Sequence, residues 1–224
     1  MIYLIFIAIA IASFAVQNSL KRKFERYSKI PIGHGMSGRD VAAKMLYDNG
    51  IGDVAVKSTS GMLSDYFNPQ DKTVNLSDGV YGVNSVAAAA VAAHECGHAV
   101  QHAVGYGPLR LRSALVPMVT FASQWVSWIL LAGILLIQTM PAIMGVGIAL
   151  FALTTLFSFV TLPVEIDASR RAIAWLDRSG LTQGQTTEYA RDALRAAAYT
   201  YVVAALGSLA TLIYYLLVFV NRRD

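Results

Sequence analysis

Five consecutive residues, His94-Glu-Cys-Gly-His98, carry side chains whose types and spacing suit metal chemistry. On a helix, a four-residue separation advances by about 400°, so His94 and His98 lie about 40° apart on one face. Two such imidazoles can bind one zinc ion, and a catalytic zinc site uses three protein ligands together with a water. Glu95 follows the first ligand, where its carboxylate can act as the general base on that water. The pattern predicts a zinc hydrolase that cleaves peptide bonds.

The third ligand must come from elsewhere in the chain, and we select Glu165. It lies at the end of a long apolar run, which we interpret below as a membrane span. Burying a carboxylate at a membrane boundary costs free energy, so such a residue is expected to have a function. Asp167 competes for this role, but it is two residues away and faces another side of a helix. It could instead orient a ligand histidine or pair with Arg170 or Arg171.

Several neighbouring side chains receive secondary roles. His102 continues the four-residue spacing, but three ligands from one straight helix would be nearly collinear, so we place it outside the coordination sphere. Cys96 lies about 200° from the first ligand and is expected to pack in the core. Gly97 would let another element approach closely. Tyr199 and Tyr201, at the start of the last apolar run, are interpreted as membrane-interface anchors. Either tyrosine, or His102, remains a candidate donor to the developing oxyanion.

The composition indicates a membrane protein, because 55% of the 224 residues are hydrophobic and only 14% are charged, against about a quarter in soluble domains. Four stretches approach or exceed the roughly 20 apolar residues that a spanning helix needs. They are Ile2–Val16 (extendable to Leu20), Pro117–Met140, Pro141–Leu162 and Tyr199–Val220. The first has no basic residues before it, so we interpret it as an uncleaved anchor. The second and third adjoin, which predicts a helical hairpin.

The distribution of basic residues predicts the orientation. Of the 18 lysines and arginines, 11 lie in residues 21–112 and five in residues 163–198. Both long polar segments, and with them the active site, are therefore expected in the cytoplasm. The chain lacks the interleaved aromatic and basic residues of a nucleic-acid groove, so we expect no nucleic-acid partner. Its single cysteine excludes an internal disulfide.

The first polar segment contains signals for strands and helices. Tyr66-Phe67 and Thr73–Leu76 flank a turn at Asn68-Pro69, which predicts a β-hairpin. We expect Thr73–Leu76 to align an extended substrate by strand addition. Ser85 is a candidate N-cap for a helix from Val86 to Val104 that carries the histidines.

Five segments carry a family resemblance, and they occur in order across nearly the whole chain. They are Asp65-Tyr-Phe-Asn-Pro69, Thr73-Val-Asn-Leu-Ser77, Ala92-Ala-His-Glu-Cys-Gly-His-Ala-Val-Gln101, Leu162-Pro-Val-Glu-Ile-Asp-Ala-Ser-Arg-Arg-Ala172 and Thr200-Tyr-Val-Val-Ala204. Together they resemble the YugP-like family of bacterial neutral zinc membrane metallopeptidases. The resemblance implies zinc, peptidase activity and a core similar to that of the HtpX-like and CAAX prenyl protease groups. There a Glu-x-x-Ala-Asp pattern completes the site. Glu165 and Ala168 match it, whereas Ser169 replaces the Asp, whose role falls to Asp167 or to no residue.

The predicted fold is α+β, mainly α, with a membrane-anchored, minimal zincin-like core. It has about four transmembrane helices and a small β-hairpin or sheet beside the helix of the histidines. We divide the chain into an anchor, a catalytic part, a transmembrane hairpin, a third-ligand region and a C-terminal transmembrane helix, at 1–20, 21–116, 117–162, 163–198 and 199–224.

The predicted function is that of a multi-pass cell-membrane endopeptidase with Zn²⁺ as cofactor and a peptide or protein substrate, membrane proteins included. One alternative is an intramembrane, site-2-type metalloprotease. Polar loops around the Ala-rich helix, and the lack of a Leu-Asp-Gly segment, disfavour it. The other alternative is a non-proteolytic zinc-binding membrane protein. Glu95 disfavours that interpretation, because two histidines and Glu165 could bind metal without it.

Overall fold

The computed structural model describes residues 2–61 and 64–221, and helices dominate this part of the chain. The helices are α1 Ile2–Tyr27, α2 Gly38–Asp48, α3 Asp78–Tyr81, α4 Val86–Ala103, α5 Gly107–Leu135, α6 Pro141–Arg178 and α7 Gln185–Val220. The strands are β1 Ala55–Thr59, β2 Tyr66–Asn68 and β3 Thr73–Ser77. The predicted α+β, mainly α fold is confirmed.

The chain forms two compact units. One, here called the helical unit, contains residues up to Ala15, Arg110–Leu162 and the chain from Thr200 onward. The other, here called the sheet unit, contains Val16–Leu109 and Pro163–Tyr199. The sheet unit therefore holds all three strands, α4 and the part of α6 that bears Glu165.

Local signals account for the two helices that flank the sheet. Ser37 and Asp40 form a reciprocal capping box that starts α2. The side chain of Ser85 accepts a hydrogen bond from the amide of Ala88 and starts α4, which confirms the predicted N-cap. Helix α4 ends before Gly105, whose φ of 65° lies in the left-handed region that favours glycine.

The three-stranded sheet has the order β1-β3-β2, with β1 parallel and β2 antiparallel to β3. Phe67 lies opposite Val74, so the predicted β-hairpin is confirmed. The expectation that Thr73–Leu76 aligns a substrate is wrong. Because β3 is central, both of its edges are occupied by neighbouring strands, and all five of its residues are buried. Among the described strands, only β1 and β2 have an edge that no other strand covers.

The helical unit contains a close hairpin between α5 and α6. Pro141 is the first residue of α6, a position where proline is favoured. A Cβ added at Gly133 would lie 2.7 Å from the Cα of Met144, so the two backbones touch. Val126, Leu130, Met144 and Ile148 form the buried cluster of this contact. The predicted hairpin between the second and third apolar runs is confirmed.

Within the described part of the chain, four helices are long and apolar enough to cross a membrane, namely α1, α5, α6 and α7. They extend beyond the apolar runs that predicted them, since α5 begins ten residues before Pro117, and α7 begins at Gln185 rather than at Tyr199. Residues 109–116 and 185–198 include charged side chains but no proline or glycine, so hydropathy marks the apolar span and not the end of the helix.

Candidate metal centre

His94, His98 and Glu165 converge in the sheet unit, and their ligand atoms all lie within 4.8 Å of one another. Nε2 of His94 is 3.2 Å from Oε2 of Glu165, and Nε2 of His98 is 3.7 Å from the same oxygen. The two imidazole rings are nearly perpendicular, at 82°. Helix α4 supplies both histidines, as the four-residue spacing predicted, and α6 supplies the carboxylate from about 70 residues downstream.

Glycine and alanine allow α4 and α6 to approach closely enough to form this cluster. A Cβ added at Gly97 would lie only 2.6 Å from the carbonyl oxygen of Ala168, and both residues are buried. No larger side chain fits between these backbones. The expectation that Gly97 permits a close approach is confirmed. Because Ala168 is three residues from Glu165, this contact sets the distance from the carboxylate to the histidines.

Both histidines present Nε2 to the carboxylate because their Nδ1 atoms are bonded elsewhere. Nδ1 of His94 is 3.1 Å from Oγ of Ser169, and Nδ1 of His98 is 3.0 Å from Oε1 of Gln101. Ser169 thus fills, with a hydroxyl, the position where the related pattern has aspartate. No role for Gln101 was predicted from the sequence. Its position three residues after His98, on the same helical face, was the available signal.

The donor set fits zinc. Zinc binds imidazole nitrogen and carboxylate oxygen at about 2.0–2.2 Å, and ligands arranged tetrahedrally at that radius lie roughly 3.4 Å apart. The distances from Oε2 of Glu165 to the two imidazole nitrogens, 3.2 and 3.7 Å, bracket this value. The carboxylate side chain is only 4% exposed, and burying it without a counter-charge would be unfavourable. Three protein ligands leave a fourth position, as in catalytic zinc sites.

Charge favours a cation at this point. Burial disfavours protonation of His98, but its hydrogen bond to Glu165 and the negative charges of Glu95 and Glu165 outweigh burial. The pKa of His98 is therefore raised above its ordinary value. The carboxylates of Glu95 and Glu165, which favour a proton on His98, would also favour a metal ion bound in place of that proton.

Glu95 lies beside the cluster and contacts the edge of the sheet. Its Oε2 accepts a hydrogen bond of 3.1 Å from the backbone amide of Phe67, in β2. The bond fixes one carboxylate oxygen against an edge strand and leaves the other oxygen for a different partner. The side chain of Glu95 is buried, which limits its alternative conformations.

Asp167 takes no part in the ligand cluster. Its Oδ1 accepts a bond of 2.7 Å from Arg170, and its Oδ2 accepts bonds from Arg171 at 2.6 Å and from Gln101 at 3.0 Å. The two alternatives considered for Asp167, arginine pairing and orientation of a histidine, are therefore combined. It pairs with both arginines and reaches His98 only through the amide of Gln101.

The remaining candidates lie outside the cluster. Cys96 is fully buried against the carbonyl of Ala42, and burial raises the pKa of its thiol, so it packs as predicted. His102 is exposed, and its ring lies 5.8 Å from that of Phe67. Tyr199 and Tyr201 are also exposed. Their roles at a membrane interface or at an oxyanion stay predictions.

Comparisons with known proteins agree with the geometry of the site. A family profile described as "Putative neutral zinc metallopeptidase" matches residues 2–220. The chain is 40% identical over 225 residues to "Putative membrane protease YugP" of Bacillus subtilis (strain 168), covering 99% of each chain. No solved structure matches it. With a match that spans almost its whole length and three side chains positioned to bind a metal ion, the chain belongs to this family of neutral zinc metallopeptidases.

Proposed function

We propose that the protein is a membrane-bound zinc endopeptidase that hydrolyses peptide bonds in peptide or protein substrates. The observation that carries this proposal is the convergence of His94, His98 and Glu165 beside Glu95. Two imidazoles and a carboxylate suffice to hold a metal ion. The additional acid, next in sequence to the first histidine, adds the proton-transfer group that hydrolysis needs. The names of the family and of the similar protein support the same activity.

Each residue of the cluster has a distinct role in this proposal. His94 and His98 bind zinc through Nε2, and Glu165 binds it through a carboxylate oxygen. A bound zinc would supply Lewis acidity toward a water and the scissile carbonyl. Glu95 accepts the proton of the attacking water and then delivers it to the leaving amine. Its bond to the amide of Phe67 keeps the carboxylate in place through both transfers.

The substrate strand is reassigned from β3 to β2. Strand β2 lies at an edge of the sheet, and Phe67 within it contacts the proposed base. An extended peptide bound along the outer side of β2 would therefore lie beside Glu95, which accepts the hydrogen bond of the Phe67 amide. Specificity would then depend on side chains along this short strand rather than on those of the buried central one.

The membrane setting follows from the four apolar helices and from the distribution of charge. The bias in lysine and arginine supports a location of the polar segments, and hence of the site, on the cytoplasmic side of the cell membrane. The intramembrane alternative receives no support from the helix that carries the histidines. Among the described residues, α4 is not one of the helices apolar and long enough to span, and it packs in the sheet unit.

The test uses the full chain purified in detergent, with two isosteric substitutions that contrast the neighbouring acids. We expect one zinc per chain and chelator-sensitive hydrolysis of peptides, restored by zinc. Glu165→Gln should lose both zinc and activity, whereas Asp167→Asn should retain zinc, because an amide oxygen still accepts from Gln101. Zinc binding without hydrolysis would support the non-proteolytic alternative. Zinc retained by Glu165→Gln and lost by Asp167→Asn would reject our choice of ligand.

A further inference from the structure

Gln101 is a fully buried polar side chain that makes three hydrogen bonds. Its Nε2 lies 2.8 Å from the carbonyl oxygen of Val164 and 3.0 Å from Oδ2 of Asp167. Its Oε1 lies 3.0 Å from Nδ1 of His98. Every polar atom of this amide is therefore used, at a position between α4 and α6.

The chemistry of these partners permits only one orientation of the amide. A backbone carbonyl can only accept, and both oxygens of Asp167 act as acceptors, of hydrogen bonds from Arg170 and Arg171. The group that faces these two acceptors must be the NH₂ of Gln101, and the group that faces His98 must be its carbonyl oxygen. A flipped amide would place its oxygen against two acceptors in a buried site.

The orientation of the amide in turn determines the state of the imidazole. Because Oε1 of Gln101 can only accept, Nδ1 of His98 must carry the proton, and the lone pair of neutral His98 then lies on Nε2. Nε2 is the atom that points to Glu165. The amide also restricts rotation of the ring, since a flip would break the bond to Nδ1.

From this geometry, we propose that Gln101 is a positioning residue of the metal centre, which holds His98 with Nε2 ready to bind zinc. The inference rests on the zinc site in the proposed function. Carboxylates often make the hydrogen bond that orients a ligand histidine. Here the uncharged amide of Gln101 makes it. The charge of Asp167 is taken up by the two arginines, and only the orientation is passed on to His98.

The test compares two substitutions of similar volume that remove opposite halves of the amide. Gln101→Met removes the acceptor that faces His98. Gln101→Glu keeps an acceptor there in either protonation state, but impairs donation to Val164 and Asp167. The control is Thr182→Val, which removes a buried hydrogen bond to Thr187 within the sheet unit. The affinity of each full-length variant for zinc is measured in detergent by competition with a chelator, alongside thermal unfolding.

We expect Gln101→Met to weaken zinc binding by about 10- to 100-fold, the usual effect of losing such a contact. Gln101→Glu and Thr182→Val should stay within about threefold of the wild type, even where unfolding occurs at a lower temperature. A purely structural role would make zinc affinity follow thermal stability in all three variants, which would overturn the inference. If Gln101→Met does not fold, Gln101→Glu decides alone, because a tenfold loss of affinity there contradicts the proposal.

The same measurements separate this inference from the proposed function. Failure of the wild type to bind zinc, or unchanged binding in His94→Ala, would reject the metal centre itself. Wild-type binding that depends on His94, with full affinity in Gln101→Met, would reject only the role of Gln101.

Discussion

The close contact between Gly97 and Ala168 offers a way to displace Glu165, the proposed third zinc ligand, without substituting it. In Gly97→Ala the new Cβ would lie 2.6 Å from the carbonyl oxygen of Ala168, whereas ordinary contacts begin near 3.4 Å. The two helices would have to separate by about 0.8 Å, because the opposing atoms are backbone and have no rotamer to change. Zinc–ligand distances tolerate only about 0.2 Å. The carboxylate of Glu165, one turn from the contact, would leave the range of a shared ion.

Two quantities follow for Gly97→Ala. Overpacking destabilises the fold by about 1–3 kcal/mol, and the higher helix propensity of alanine stabilises it by about 1 kcal/mol. The free energy of unfolding should therefore fall by up to about 2 kcal/mol. Zinc affinity should fall by at least about tenfold, which is the smallest effect usually seen when a hydrogen bond to a metal ligand is lost. Competition with a chelator measures this value. The matched control is Gly79→Ala in α3, since a Cβ there meets nothing within 4 Å. Wild-type zinc affinity in Gly97→Ala would refute the reasoning.

Three further predictions concern neighbours of the histidine motif. Phe67→Pro removes the amide that bonds Glu95, so kcat should fall roughly tenfold or more below that of Phe67→Ala, which keeps the amide; equal kcat values would contradict this. Ser169→Ala should weaken zinc binding about tenfold by removing the hydrogen-bond partner of His94 Nδ1, whereas Ser169→Asp should retain zinc affinity. Unchanged affinity in Ser169→Ala would show that this contact does not support the metal centre. Because burial raises the pKa of its thiol, Cys96 should resist alkylation in the native protein and react after unfolding, as mass spectrometry would show; labelling of the native protein would count against this packing.

The sequence predicted those features of the site that depend on spacing along one element. His94 and His98 lie on one face because a helix repeats every 3.6 residues, and the helix itself was predicted by the N-cap at Ser85. Glu165 was predicted because a carboxylate next to an apolar run is costly without a function. In each case the physical reason is local, and the tertiary structure only had to bring the two helices together.

Features that depend on how elements pack could not be predicted in the same way. Strand β3 is central because β1 pairs with it in parallel. These two strands are not adjacent in the chain, since β2 lies between them in the sequence. Nothing in the alternation of Thr73–Leu76 distinguishes a central strand from an edge strand. The bond of Ser169 to His94, and the bonds of Gln101 to Val164 and Asp167, depend on the rotation of α6 against α4, which the contact at Gly97 sets.

The most direct test of the central claim is the zinc content and peptidase activity of Glu95→Gln. Glu95 lies outside the ligand cluster, so the variant should keep one zinc per chain with wild-type affinity. The amide cannot accept the proton of the attacking water, so kcat should fall by at least about 100-fold, the usual contribution of a general base. Undiminished hydrolysis in the zinc-loaded variant would contradict the assignment of Glu95 as the base.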